Sequence, residues 1–236
     1  MKDIVIYGAG GFGREVAWLI EEMNREEEQF RIIGFVDDDP AWRDCEVHGY
    51  PVLGGVEALK GLPPIAVALA VGNPSPRMAL VEKLKGLRVE FPNLVHPSVL
   101  MGPEVALGMG NILCAGVIAT ANIRIGNFCH FNLKTSVGHD CVLEDFSTTA
   151  CGVDFAGYSH ASKGSYFGNH ATLLGGVKVG ALSVIGAGAV VHREIPPDST
   201  AVGVPARVIE TRSFRREEEQ NHSSETTSSP SKRSRY

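Results

Sequence analysis

The stretch IGNFCHFNLKTSVGHDCVL, residues 125–143, carries a large apolar side chain at every sixth place: Ile125, Phe131, Val137 and Leu143. The same step continues backward through Ala119, Leu113 and Leu107. Forward it runs through Thr149, Phe155, Ala161, Phe167, Leu173, Val179, Ile185 and Val191, with Thr149 and Ala161 its weak members. Glycine follows directly at Gly108, Gly126, Gly138, Gly168, Gly180 and Gly186. Two places before the large residue stands a small or β-branched one, as at Val117, Cys129, Thr135, Cys141, Val153, Ala171, Val177 and Ala189. An unbroken six-residue period is the signature of a hexapeptide parallel β-helix. Three hexads close a triangular coil of about 18 residues, and stacked coils pair as parallel strands about 4.8 Å apart. The large residues fill the prism and the small ones fit its tight corners. A single coil cannot bury its own face, so stability must come from stacking.

Upstream the grammar differs. Residues 3–7 read as a buried strand, followed by glycines and a helical pattern in which Val16, Leu19, Ile20 and Met23 share a face. Residues 31–36 and 66–71 read as further strands, and 55–62 and 78–87 as helices. Alternating strands and helices imply a parallel sheet with crossovers. The pattern predicts an α/β domain over 1–92, a β-helix over 93–209 and a disordered tail over 210–236. That tail is rich in serine, threonine and charge, with almost no apolar residue beyond Phe214.

The composition of the 236-residue chain is that of a soluble globular protein, 44% hydrophobic and 21% charged. A net charge of −5 supplies no basic field to draw it to nucleic acid or anionic lipid. No apolar run reaches the roughly 18 residues of a membrane span. Five cysteines without a CxxC pair, and glycine too early for a secretory core, point to reduced packing thiols and a cytoplasmic location.

Two places carry chemistry. Gly8, Gly10, Gly11 and Gly13 form a G-x-G-x-x-G between a strand and a helix, where backbone N–H groups can meet a phosphate. Asp37 and Asp38 end the next strand, where a carboxylate can meet a ribose hydroxyl. The loop alone does not separate NAD from other nucleotides. His139-Asp140 follows the inward Val137, so the imidazole can project outward near a corner and take a proton from an attacking amine or hydroxyl. A carboxylate beside it can orient the ring. His96 reads as part of the inter-domain turn. His130, His160, His170 and His192 lack a metal-site pattern, although His130 and His160 can approach a groove.

With these features in order, residues 1–209 resemble the bacterial sugar O-acyltransferase family of the left-handed β-helix superfamily. Its members include nucleotide-4-amino-sugar N-acetyltransferases and the sialic acid O-acetyltransferase. The matching text includes Gly8-Ala9-Gly10-Gly11, Gly34-Phe35-Val36-Asp37-Asp38, Val71-Gly72-Asn73 with Arg77, and Val95-His96-Pro97-Ser98. It continues through Val137-Gly138-His139-Asp140-Cys141 to Gly203-Val204-Pro205-Ala206. The resemblance implies a homotrimer with acetyl-CoA in the groove between β-helices, no metal, and a nucleotide sugar on the Rossmann-like N-terminal domain. It implies that Gly8, Gly10, Gly11 and Gly13 line a diphosphate, that Asp37 and Asp38 meet the nucleoside, and that Asn132 lies beside the active site. His139 falls on the family's catalytic base, with Asp140 where many members carry glutamate. Thr148, Gly157, Asn169 and Ala187 fall at positions expected to border the acyl donor, Gly157 as a backbone donor to the oxyanion.

Two departures stand out. Phe146-Ser147 is followed by Thr148 where the amino-sugar enzymes commonly carry a histidine, and Phe12 occupies a loop position that is often histidine there. The leading expectation is N-acetylation of an amino sugar. O-acetylation of a sialic acid or other glycan sugar, an NAD-dependent oxidoreductase and a non-catalytic scaffold are the alternatives.

Overall fold

A computed structural model describes residues 1–211; the expected tail beyond them lies outside the described residues. The N-terminal part begins with β1 (Lys2–Tyr7), α1 (Gly11–Glu26) and β2 (Phe30–Val36), then β3 (Ile65–Leu69), α2 (Pro74–Lys83) and β4 (Val89–Glu90). The four strands form one parallel sheet in the order β2-β1-β3-β4. Ile4, Val5 and Ile6 are fully buried, as expected of a β-branched strand covered on both faces. Val16, Leu19, Ile20 and Met23 form the buried stripe of α1.

The helix expected over 78–87 instead starts at Pro74. Asn73 caps it by accepting from the Ser75 N–H at 3.1 Å, and a proline at the first helical position loses no hydrogen bond. The apolar periodicity pointed too far along because the first turn of this helix is Pro-Ser-Pro, which has no apolar stripe to read.

From Leu94–Val95 onward the chain winds as a three-sided β-helix. Face one stacks Leu94–Val95, Ile112–Leu113, His130–Phe131, Thr148–Thr149, Tyr166–Phe167 and Val184–Ile185, all parallel and 18 residues apart. Face two carries Ile118–Ala119, Ser136–Val137, Asp154–Phe155 and their successors; face three carries Ile123–Ile125, Val142–Leu143 and His160–Ala161. The hexad residues from Leu113 to Val191 line the buried interior. Even the weak members are accommodated: Ala161 is fully buried, and the Thr149 hydroxyl pairs with Thr135 at 2.9 Å. Each fully buried large side chain contributes about 1.5–3 kcal/mol.

The corners show what the periodicity did not. Every sixth residue from Glu104 to Gly188 has positive φ, among them Asp140 at 60°, Phe146 at 63° and Leu182 at 57°. The left-handed conformation turns the chain at each corner, and large side chains tolerate it because stacking overdetermines the coil. The glycines after the large residues have another cause. A Cβ at Gly138 would lie 2.8 Å from both the Gly157 nitrogen and the Phe155 oxygen of the next coil.

The N-terminal part lies against face one. Leu94, Ile112 and Cys114 share a buried cluster with Val16, Leu19, Ile20 and Met23 of α1. Higher on the same face this cover ends, and a cavity opens.

Candidate active site

His139 and Asp140 sit at the corner between faces two and three. Their side chains point outward, His139 with 58% of its side chain exposed. Asp140 Oδ2 is 2.8 Å from His139 Nδ1, and a carboxylate oxygen only accepts, so Nδ1 carries the proton and Nε2 presents its lone pair. The hydrogen bond from His139, reinforced by one from the Asn122 amide, holds the Asp140 carboxyl below its ordinary range. The Tyr158 ring stands edge-on to the imidazole at 5.2 Å. Beneath the ring lies Gly157, where a Cβ would come within 2.6 Å of His139 Cε1. The Gly157 N–H makes no hydrogen bond among the described residues, whereas its carbonyl accepts from Gly176. An imidazole, the carboxylate hydrogen-bonded to it and an N–H without a partner among the described residues therefore share one corner.

A second centre lies on face one. The cavity under the edge of the N-terminal part, about 630 Å³, is lined by Phe12, Asn73, His130, Asn132, Thr148 and Tyr166 among others. Below it the Arg77 side chain is fully buried, with no carboxylate partner among the described residues. Its guanidinium instead donates to the carbonyls of Phe128, Val71, Gly72 and Phe146, to Thr148 Oγ1 at 2.5 Å and to His130 Nδ1 at 3.0 Å. Four of these six contacts tie α2 to two coils of the β-helix, and the two to Val71 and Gly72 hold the loop that leads into the helix. Burial lowers the Arg77 pKa only to about 10, so it remains a cation at neutral pH. Burial first, and then the Arg77 charge, push His130 well below the ordinary imidazole value; the Leu69 carbonyl acts weakly the other way.

A second cavity, about 500 Å³, lies at the carboxyl end of the sheet and is lined by Asp37, Asp38, Arg43, Gly55 and Lys83 among others. Asp37 accepts from the Ala9 N–H at 2.8 Å, tying the glycine loop to β2. Asp38 accepts from Tyr7 at 2.7 Å, from Lys83 at 2.6 Å and from the Val56 N–H at 3.0 Å. The four loop glycines divide into two kinds. A Cβ at Gly13 would meet the Gly8 carbonyl at 1.9 Å, and Gly8 itself turns at φ 113° against Ala70, so both serve packing. A Cβ at Gly10 would meet nothing and one at Gly11 only the Arg14 guanidinium at 3.9 Å, so these two keep the loop surface bare.

Comparison with known proteins gives these features a context. A family model for the PglD N-terminal domain matches residues 3–84. The GDP-perosamine N-acetyltransferase of Escherichia coli O157:H7 is 32% identical over 212 residues, which is 86% of this chain and 94% of that protein. The chain belongs to the hexapeptide-repeat sugar acetyltransferases. The family's solved structures share its shape. A histidine-to-asparagine variant of perosamine N-acetyltransferase from Caulobacter crescentus, in complex with CoA and GDP-perosamine, matches with a TM-score of 0.80. It is 31% identical and covers 89% of this chain and 98% of its own. The acetyltransferase domain of PglB from Neisseria gonorrhoeae, in complex with acetyl coenzyme A, also scores 0.80 at 28% identity, covering 88% of this chain and 99% of its own. This acetyltransferase thus has the N-terminal parallel-sheet domain and left-handed β-helix of its family. No helix among the described residues is long and apolar enough to cross a membrane.

Within one chain of the acetyltransferase, the residues singled out in the sequence fall into three groups. His139, Asp140 and Gly157 share the corner between faces two and three. Asn132 and Thr148 line the cavity on face one. Asp37 and Asp38 line the cavity at the sheet end. Asn169 holds the preceding coil by accepting from the Cys151 N–H at 3.0 Å, and Ala187 packs beneath Gly168. His130 and Arg77 had no individual role in the sequence reading. An outward strand histidine looks the same in the repeat whether it faces solvent or a covering domain; only the packing of α1 and α2 on face one separates the two.

Proposed function

We propose that this acetyltransferase moves the acetyl group of acetyl-CoA to the C4 amine of a nucleotide-linked amino sugar, at seams between the copies of a homotrimer. The observation that carries the reading is the corner of His139, Asp140 and the unpaired Gly157 N–H. The relatives whose names and complexes include GDP-perosamine, CoA and acetyl coenzyme A supply the substrate classes.

His139 Nε2 takes a proton from the amine as its nitrogen attacks the thioester carbonyl. Asp140 stabilises the resulting imidazolium through Nδ1–H. The Gly157 N–H donates to the tetrahedral oxyanion, a contribution whose removal costs roughly 10²–10³ in rate. Collapse breaks the carbon–sulfur bond, and the imidazolium proton passes to the departing CoA thiolate. No acyl-enzyme is needed. Burial pushes the Cys114 and Cys129 thiols up to about 12, which leaves them poor nucleophiles.

The trimer completes the site. His139 lies on a different edge from Asn132 and Thr148, so the corner of one copy serves the face-one cavity of its neighbour. The nucleotide binds near Gly10, Gly11 and the Asp37–Asp38 cavity. The reaction is read as cytoplasmic, the location expected from the sequence. The test is turnover of radiolabelled acetyl-CoA against a panel of amino and hydroxyl sugars. His139→Ala should lose about 10²–10⁴ in kcat with nucleotide binding intact; near-normal turnover would overturn the assignment.

A further inference from the structure

His130 is 1% exposed, and its two ring nitrogens have unequal surroundings. Arg77 Nη1 lies 3.0 Å from Nδ1, and a guanidinium nitrogen can only donate. Nδ1 is therefore the acceptor, and the neutral ring carries its proton on Nε2, on the ring edge turned away from Arg77. That Nε2–H is buried with no hydrogen bond of good geometry among the described residues, although the Leu69 carbonyl stands close enough to favour the protonated ring. A buried unsatisfied donor costs about 1–3 kcal/mol, a cost retained in native structures where a ligand or water satisfies the group.

The ring lines the face-one cavity, and its surroundings specify what the donor meets. Arg77 also donates to Thr148 Oγ1, which leaves the Thr148 hydroxyl proton only a long 3.4 Å contact to the Phe146 carbonyl. Two donors, one imidazole and one hydroxyl, are thus polarised by the same uncompensated cation. They stand in register on adjacent coils, His130 against Thr148, and Tyr166 and Val184 continue the column above them. A column of outward residues at coil spacing suits an extended ligand arm lying along the stack. Phe12, packed on the imidazole with ring centroids 5.1 Å apart and lining the same cavity, covers the ring.

We propose that His130 is a ligand-binding residue whose Nε2–H, uncovered by a shift of Phe12, donates to a carbonyl oxygen of the acyl donor's pantetheine arm. Arg77 is the positioning residue, fixing the imidazole tautomer and turning the Thr148 hydroxyl toward the same arm. A neutral donor backed by a buried cation favours a carbonyl oxygen over an ammonium or hydroxyl hydrogen, which separates this subsite from the amine of the acceptor. The inference rests on the acetyl-transfer reading above.

The test uses the full-length protein, with CoA and GDP titrated separately by calorimetry. His130→Phe keeps a ring against Phe12 but has neither donor nor acceptor; His130→Gln can accept from Arg77 and donate onward. CoA affinity should fall about tenfold in His130→Phe and stay within about threefold of wild type in His130→Gln, with GDP affinity the same in all three. Equal CoA affinity in His130→Phe and wild type would overturn the proposal, and so would a loss confined to GDP. Should His130→Phe fail to fold, ¹⁵N-histidine-labelled wild type takes its place: the His130 Nε2 resonance should move when CoA saturates, and an unmoved resonance sinks the inference. A wild-type protein that binds no CoA at all would instead sink the acetyl-transfer reading.

Discussion

Acidifying the solution should unfold this protein partly through one imidazole. In the folded state His130 is buried against the Arg77 cation and stays neutral well below the ordinary value of 6.5. In the unfolded chain it titrates normally. As the pH drops below about 6.5, the unfolded state binds a proton that the folded state refuses, so stability falls with falling pH. For a folded pKa far below the working range, the loss is RT ln(1 + 10^(6.5 − pH)). This gives about 1.4 kcal/mol near pH 5.5 and about 2 kcal/mol near pH 5.0. The assay is urea unfolding followed by the fluorescence of Trp18 and Trp42, both in the N-terminal part that covers His130. Wild type and His130→Gln are compared at about pH 7.5 and 5.5. Glutamine does not titrate, so contributions from every other group cancel in the double difference, which should favour wild type at the higher pH by at most about 1.4 kcal/mol. Parallel pH dependences in the two proteins would refute the argument that Arg77 and burial hold His130 neutral.

Two glycine substitutions should separate chemistry from folding. Gly157→Ala puts a methyl against the far end of an exposed His139 side chain, which can swing away; kcat should fall about 10²-fold with little change in Tm. Gly138→Ala meets backbone of the next coil instead, and should lower Tm by several degrees in a thermal melt. Arg77→Met strands the carbonyls of Val71, Gly72, Phe128 and Phe146 and should destabilise by about 3–5 kcal/mol. Hydrogen exchange should then quicken in α2 and the coils beneath it, while Arg77→Lys, with three donors for six acceptors, recovers only part of the loss.

The amino-acid sequence by itself determined the solenoid, because a coil of three hexads repeats one packing problem. The large residue at every sixth place, from Leu113 to Val191, had only the prism interior to enter. The alternation of β1, α1 and β2 was readable for the same reason, since each side chain's burial follows from its own period. His139-Asp140 was legible too: the pair is adjacent in sequence, and the inward Val137 sets which way it turns. The tertiary structure decided what depends on elements distant along the chain. Arg77 reaches across 51 to 71 residues to Phe128, His130, Phe146 and Thr148, and no local pattern records such a contact. The same holds for the division of the loop glycines, where Gly13 answers to the Gly8 carbonyl while Gly10 faces open space. Periodicity fixes the direction of a side chain relative to its own strand or helix. Which surface comes to lie over it is set by how two domains pack.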